Sequence, residues 1–349
     1  MGAVETSMAD SELAVSVLDF VGIPYGGTAT EAIDGSVELA RTVERLGYRR
    51  IWFSEHHNSP TLACTAPELL IARVGAATST LRVGAGGIML PNHAPLKVAE
   101  TFRTLEAMFP GRVDLGLGRA PGTDGLTALA LRGSEQKVMG NEFPQLTGEL
   151  LAFLTDTFPD DHPFRSVQAT PAVPGMPELW ILGSSDYGAR FAAVNGLAAS
   201  FAHQINPELA GPVLRAYRRD FRPSEFLDAP RSSVSTIAFA SEDAAEVAEF
   251  EAYWTLNMAK LRSGRLGPIS PEELKEFAAS SGYPAAREQM AGRLNAGSPE
   301  VVATRLRALV EDTEADELIV ATPTPSYAQR TRSYELLAAE LGVRGPASE

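Results

Sequence analysis

Apolar and polar positions alternate in blocks along this chain of 349 residues. Eight runs are apolar at most positions: AVSVLDF (14–20), RIWFSE (50–55), RVGAGGIML (82–90), RVDLGLG (112–118), ELWILGS (178–184), AASFAH (198–203), SSVSTIAFA (232–240) and ELIVATP (317–323). Such runs read as strands covered on both faces, as in a parallel sheet. Helical spacing separates them. Within 31–46, Ile33, Val37, Ala40, Val43 and Leu46 share one stripe, and Gly47 ends it. Segments 66–79 and 96–108 behave alike, with Pro67 and Pro95 suited to helix starts. Further helices are expected in SDYGARFAAVNG, NPELAGPVLRAYRRD and SPEVVATRLRALVED, and a last one over 326–341.

Strands alternating with helices predict an α/β fold, and eight βα units in one chain predict a (β/α)8 TIM barrel; a doubly wound sheet is the competing arrangement. Two stretches exceed the minimal unit, so insertions are expected after strands 4 and 7. Residues 119–177 carry a Gly/Pro-rich loop and a helix, and 243–297 hold two or three short helices. Both follow C-terminal strand ends, where barrel sites form. The reading is one barrel domain over 1–349, with a ragged start at 1–12 and a cover, or lid, at 243–297.

Composition narrows the function. The formal net charge of −14 opposes a broad nucleic-acid or anionic-membrane footprint. Cys64 is the only cysteine, so no intramolecular disulfide forms and a cysteine-rich metal site is excluded. No run reaches membrane-spanning length, and the first residues lack a basic signal-peptide segment, which together point to a cytoplasmic enzyme. Gly2 and Thr6 match the short myristoylation pattern, without a basic patch to supply a second anchor.

Four stretches carry candidate chemistry. Glu55, His56 and His57 follow the second strand, in a chain with five histidines. A histidine exchanges protons near neutrality, and the C-terminal strand end is where a barrel places such a group. A metal site is not supported by the spacing of the other histidines. A pair hydrogen-bonded for packing remains the plain alternative. In GAGGIMLP (84–91), Gly86 and Gly87 mark either close approach by a ligand or tight packing. In DLGLGRAPG (114–122), Gly116 and Gly118 lack the third glycine of a dinucleotide fingerprint. Arg119 then offers an anion contact or a surface ion pair. In WILGSSDYGARFA (180–192), Gly183, Ser184 and Ser185 precede a helix, an arrangement that cradles a phosphate or simply caps the helix.

These stretches, in this order, resemble the bacterial luciferase-like family of flavin-dependent monooxygenases over about residues 14–341. The densest segments are IWFSEHHN, STLRVGAGGIMLPNHAPLKVAETFRTLEAMFPGRVDLGLGRAPG and LGSSDYGAR. Within the family, the chain looks closest to members of bacterial secondary metabolism. The resemblance implies a (β/α)8 barrel that uses reduced FMN (FMNH2) and O2, through a C4a-peroxyflavin, to oxygenate a small organic substrate. It also implies a separate NAD(P)H:flavin reductase and a homodimer. His56 matches the family's essential histidine, with Glu55 and His57 supporting or orienting it. Gly86-Gly87 matches the position of a non-prolyl cis peptide against the flavin ring. Arg119 matches a phosphate-binding arginine, and Gly183, Ser184, Ser185 and Tyr187 match the loop that completes the phosphate site. That placement differs from the usual barrel phosphate site after strands seven and eight. A second family arginine has no match near Phe143-Pro144-Gln145. Phe20, Ile23, Tyr25, Trp254 and Met258 are candidates for an apolar substrate pocket. The alternatives are hydride transfer with F420, whose longer anionic headgroup calls for more basic groups, and a non-catalytic flavin-binding protein.

Overall fold

A computed structural model describes residues 13–345 of the chain; the expected ragged start at 1–12, including Gly2 and Thr6, lies outside them. The strands are β1 (Ala14–Asp19), β2 (Arg50–Phe53), β3 (Arg82–Met89), β4 (Val113–Gly118), β5 (Glu178–Gly183), β6 (Ala198–Ala202), β7 (Ser232–Ala240), β8 (Leu294–Gly297) and β9 (Glu317–Ala321). The helices are α1 (Ala29–Leu46), α2 (Pro67–Gly75), α3 (Pro95–Met108), α4 (Gly125–Arg132), α5 (Glu135–Met139), α6 (Phe143–Thr155), α7 (Asp186–Val194), α8 (Ala210–Asp220), α9 (Ala244–Arg262), α10 (Pro271–Ala279), α11 (Tyr283–Glu288), α12 (Pro299–Thr313) and α13 (Tyr327–Leu341).

All strand pairs are parallel. The sheet runs β6-β5-β4-β3-β2-β1-β9-β7, and β6 also pairs with β7, with Ala199 opposite Ser232. That pairing closes an eight-stranded barrel and excludes the doubly wound alternative. β8 is an extra strand: it adds to the upper half of β7, with Ile237 opposite Leu294. The eight predicted strands are therefore the barrel strands, and the ninth lies inside the second insert. That insert also departs from the expected short helices, because α9 spans 19 residues. The first insert holds α4, α5 and α6 rather than one helix. The second helix stops at Gly75, short of the expected 79.

Local chemistry explains the boundaries. Thr28 and Glu31 form a capping box that starts α1. Gly47 ends it at φ 95°, and a Cβ there would lie 2.0 Å from the Arg344 carbonyl oxygen. Strands that are apolar on both faces fill two separate cores. Ile51, Phe53, Val83, Leu115 and Ile181 face outward and pack against Val37, Ala40, Phe102 and Leu150 of the helices. Leu18, Trp52, Trp180, Ile237 and Ile319 fill the interior.

Trp52 and Trp180 meet edge-to-face in the interior, centroids 5.4 Å apart. Each buried indole removes roughly 150–250 Å² from water, about 4–6 kcal/mol of hydrophobic stabilisation. Space for Trp52 comes from glycines: a Cβ on Gly84 or Gly86 would lie 3.0 or 2.9 Å from its ring. Beneath the indoles, Arg50 is fully buried and bonds Glu317 at 2.7 Å, Asp114 at 2.8 Å and Glu178 at 3.1 Å. This charged plug closes the lower end of the barrel interior, and the largest cavity, about 1250 Å³, lies at the C-terminal strand ends. No helix among the described residues is long and apolar enough to cross a membrane.

Candidate active site

β2 leaves the sheet after Phe53, which delivers Ser54, Glu55, His56 and His57 to the upper rim. Glu55 is almost fully buried and acts as a hub. It accepts from the Met89 N–H at 2.8 Å, His57 Nε2 at 2.8 Å, Asn92 Nδ2 at 3.1 Å and His93 Nε2 at 3.0 Å. Burial pushes Glu55 up, but the bonds from His93, His57 and Met89 outweigh it and hold the carboxyl below its usual value. The same bond raises His93, against the opposing effect of burial. Glu55 and His93 are thus paired at the top of β3, 3.0 Å apart, each favouring the other's charged form. Asn92 and His93 stand in LPNHAP, directly after that strand, and are not among the expected site residues.

His56 is held otherwise. Its Nδ1 meets Ser54 Oγ at 2.9 Å, and its ring meets Phe20 edge-on at 5.8 Å. Neither Glu55 nor His57 bonds its ring, so the expected orienting role of those two residues passes to Ser54. The reason is geometric: in an extended segment, residues two apart face the same side. Burial lowers the His56 pKa, with Glu55 opposing and His57 reinforcing. Its Nε2 has no protein partner among the described residues. Cys64 is buried, which pushes its thiol well above the normal range and leaves it inert as a nucleophile.

Two cavities meet at His56. The smaller, about 290 Å³, is walled by Trp52, Glu55, Gly86, Gly87, Arg119 and the Gly183–Tyr187 loop. The larger, about 1250 Å³, runs past Phe20, Ile23, Trp254 and Met258. Leu18, Phe20, His56, Ala120 and Gly122 line both. Of the expected pocket residues, Tyr25 instead lines a separate hollow of about 180 Å³, beside Tyr253. Tyr253, Trp254, Asn257 and Met258 belong to α9, so the second insert covers the larger cavity.

The Gly86–Gly87 bond is cis. A Cβ on Gly87 would lie 2.6 Å from the Gly116 carbonyl oxygen, so protein packing alone requires this glycine. In the wall of the smaller cavity, the Arg119 guanidinium lies 4.1 Å from the centroid of the ring of Tyr187, in the first turn of α7. Arg119 is exposed and has no ion-pair partner among the described residues. Ser185 is the N-cap residue of α7, yet its side chain makes no capping bond. A plain cap therefore does not account for its hydroxyl. Arg119, Ser184, Ser185 and the helix N-terminus form a donor set that fits a phosphate. Phe143, in the segment without the expected second arginine, is buried and packs edge-on against Phe191, centroids 5.5 Å apart. Among the described residues, no cluster of metal-ligating side chains occurs.

The fold and its rim define a closed parallel barrel that carries a histidine and a donor set suited to an anion at its C-terminal end. The model of the luciferase-like monooxygenase family matches residues 13–317. The chain is 37% identical over 333 residues to a luciferase-like monooxygenase of Escherichia coli (strain K12), covering 94% of this chain and 97% of that one. It is 32% identical over 333 residues to N-acetyl-S-alkylcysteine monooxygenase of Bacillus subtilis (strain 168), covering 93% and 97%. The solved structure of apo-MsnO8 superposes with a TM-score of 0.88 at 34% identity, covering 96% of this chain and all, 100%, of the other. The chain belongs to the luciferase-like monooxygenase family and is an oxidoreductase of that class. More distant barrels share the fold alone. They include the oxygenating constituent of 3,6-diketocamphane monooxygenase in complex with FMN (17% identity, TM-score 0.70). An F420-dependent secondary alcohol dehydrogenase is another (14%, 0.67).

Proposed function

We propose that this protein is a monooxygenase that takes reduced FMN from a separate reductase and oxygenates a small organic substrate with O2. The observation that carries the reading is Arg119 over Tyr187 at the start of α7, without an ion-pair partner among the described residues, in the wall of a cavity that His56 also lines. When bound, reduced FMN supplies two electrons to O2, so that one oxygen atom enters the substrate and the other leaves as water.

The chain's own residues do the rest. Arg119, Ser184 and Ser185 hold the phosphate with charge-assisted hydrogen bonds. The Gly86-Gly87 backbone and the Trp52 indole wall the slot for a flat ring system. His56 stands between the flavin slot and the larger cavity, held at Nδ1 by Ser54, with Nε2 available to accept or deliver a proton. The α9 cover keeps water from the reacting centre. One arginine lines the slot, which suits the short phosphate of FMN better than the longer, more highly charged headgroup of F420.

The reading is tested by mixing the protein with reduced FMN without oxygen, then adding oxygen and following the flavin absorbance. A species spectrally distinct from reduced and oxidised FMN, outliving that of free flavin, is the expected result. His56→Ala should shorten its lifetime or abolish it while leaving FMN affinity within about twofold. In assays with a substrate, general acid–base loss amounts to roughly 10²–10⁴ in turnover. Oxidation at the free-solution rate, or tight binding of F420 in place of FMN, would overturn the proposal.

A further inference from the structure

Residues 119–124, between β4 and α4, divide the two cavities. Arg119 walls the smaller one, Pro121, Thr123 and Asp124 wall the larger, and Ala120 and Gly122 line both. The C-terminal half of this loop is fastened to the segment after β2. The His57 N–H donates to the Gly122 carbonyl at 3.2 Å, Thr123 Oγ1 to the His57 carbonyl at 3.0 Å, and Asn58 Nδ2 to Asp124 Oδ2 at 3.1 Å. The half that carries Arg119 is held differently. Among the described residues, residues 119–121 make a single hydrogen bond, in which the Pro121 carbonyl accepts from Asn92 Nδ2 at 3.1 Å.

That amide is committed on both sides. Its Nδ2 also donates to Glu55 Oε1, at 3.1 Å, and its Oδ1 accepts from Arg132 Nε at 2.9 Å. Turning the amide over would set its oxygen against a carboxylate and a carbonyl, so these partners fix its orientation. Glu55 is itself held by the Met89 N–H, His57 and His93. Asn92 therefore ties the loop bearing Arg119 to the ends of β2 and β3 and to the last turn of α4. Arg119 has no ion-pair partner, so its place is set by the backbone that carries it and by the Tyr187 ring. A binding group is only as well placed as the residues that support it.

We infer that Asn92 is a positioning residue for the phosphate site: its bond to the Pro121 carbonyl fixes the backbone from which Arg119 reaches the phosphate. Asn92 does not touch the phosphate itself and acts through Arg119.

The inference rests on the phosphate site of the function proposed above, and the test separates the two. Binding of reduced FMN and of reduced riboflavin, which lacks the phosphate, is measured by calorimetry without oxygen. The unaltered protein should prefer FMN by roughly tenfold or more. Asn92→Ala should cut that preference about three- to tenfold, the worth of one hydrogen bond, and leave riboflavin affinity within about twofold. Asn92→Asp has the same size but no donor, and sets a second carboxylate against Glu55; it should do at least as much. In an Arg119→Ala background, Asn92→Ala should change FMN affinity by less than about twofold, because its effect passes through Arg119. An unaltered protein that binds the two flavins equally would overturn the phosphate site and this inference with it. With the preference present, a preference kept in both Asn92 variants would overturn this inference alone. So would a loss shared equally by the two flavins, which is the mark of a merely structural role, or an Asn92→Ala effect on FMN undiminished without Arg119.

Discussion

The lower and upper ends of the barrel interior use the same kinds of side chain to opposite effect. At the lower end, Arg50 lies 5.7 and 5.1 Å from the Trp52 and Trp180 rings and is surrounded by Asp114, Glu178 and Glu317. At the upper end, Arg119 lies 4.1 Å from the Tyr187 ring and has no ion-pair partner among the described residues. Both guanidinium groups stack on aromatic faces, and only the first has its charge met within the protein. Burial alone would lower the Arg50 pKa, yet Asp114, Glu317 and Glu178 raise it above the ordinary value. Arg50 is therefore part of the scaffold, and Arg119 is free to meet an anion from outside. Arg330 stands between the two cases, with one carboxylate and two unmet donors.

The largest expected effect breaks the lower cluster. Arg50→Ala takes the shared partner from three carboxylates, two of them buried, leaving Asp114 with Arg82, Glu178 with Arg231 and Glu317 with only the more distant Arg49 and Arg231. It should cost about 3–5 kcal/mol, read as a fall in the urea unfolding midpoint. Arg119→Ala should leave that midpoint unchanged and weaken FMN binding by roughly 10- to 100-fold, since a hydrogen bond to a charged group contributes about 1.5–3 kcal/mol. If Arg119→Ala also lowered the unfolding midpoint, the contrast between the two ends would not hold.

A smaller effect, about 1 kcal/mol for a partly exposed charged bond, belongs to the Glu55–His93 pair and depends on pH. The folded-state pKa of His93 is raised, so its contribution is present in full below the unfolded value and is lost as pH rises through the folded value. That of Glu55 is lowered, so its contribution is present above its unfolded value and is lost as pH falls through the folded one. His93→Gln should therefore destabilise most near pH 5–6 and least near pH 9, in urea titrations at the two pH values. A difference independent of pH would show that His93 serves packing alone.

Much of the fold was legible in the sequence because a barrel strand is covered on both faces. RIWFSE and ELIVATP announce themselves by continuous apolar character, and SDYGARFAAVNG by its polar start after a strand. β8 escaped notice because LNAG has four residues and no apolar run. The length of α9 was missed because its apolar residues serve two environments: Trp254 and Met258 face the cavity, whereas Ala252 and Leu256 pack with Leu274 of α10. No single stripe results. Ser54 as the partner of His56 was readable in principle, two residues back along an extended segment. Asn92 and His93 were not, because nothing local tells a buried glutamate which donors will reach it.

The sequence by itself determined the order of strands and helices, the residue types at each strand end, and the presence of Glu55, His56 and Arg119 on the same rim. These follow from periodicity and from the direction every strand takes in a parallel barrel. The tertiary structure alone decided which charges are neutralised. Arg50 and Glu317 are 267 positions apart, and Arg330 and Asp19 are 311 apart. Arg50, Arg119 and Arg330 look alike along the chain. They differ in the folded protein because an ion pair depends on distances of a few ångströms, and only closure of the barrel sets those distances.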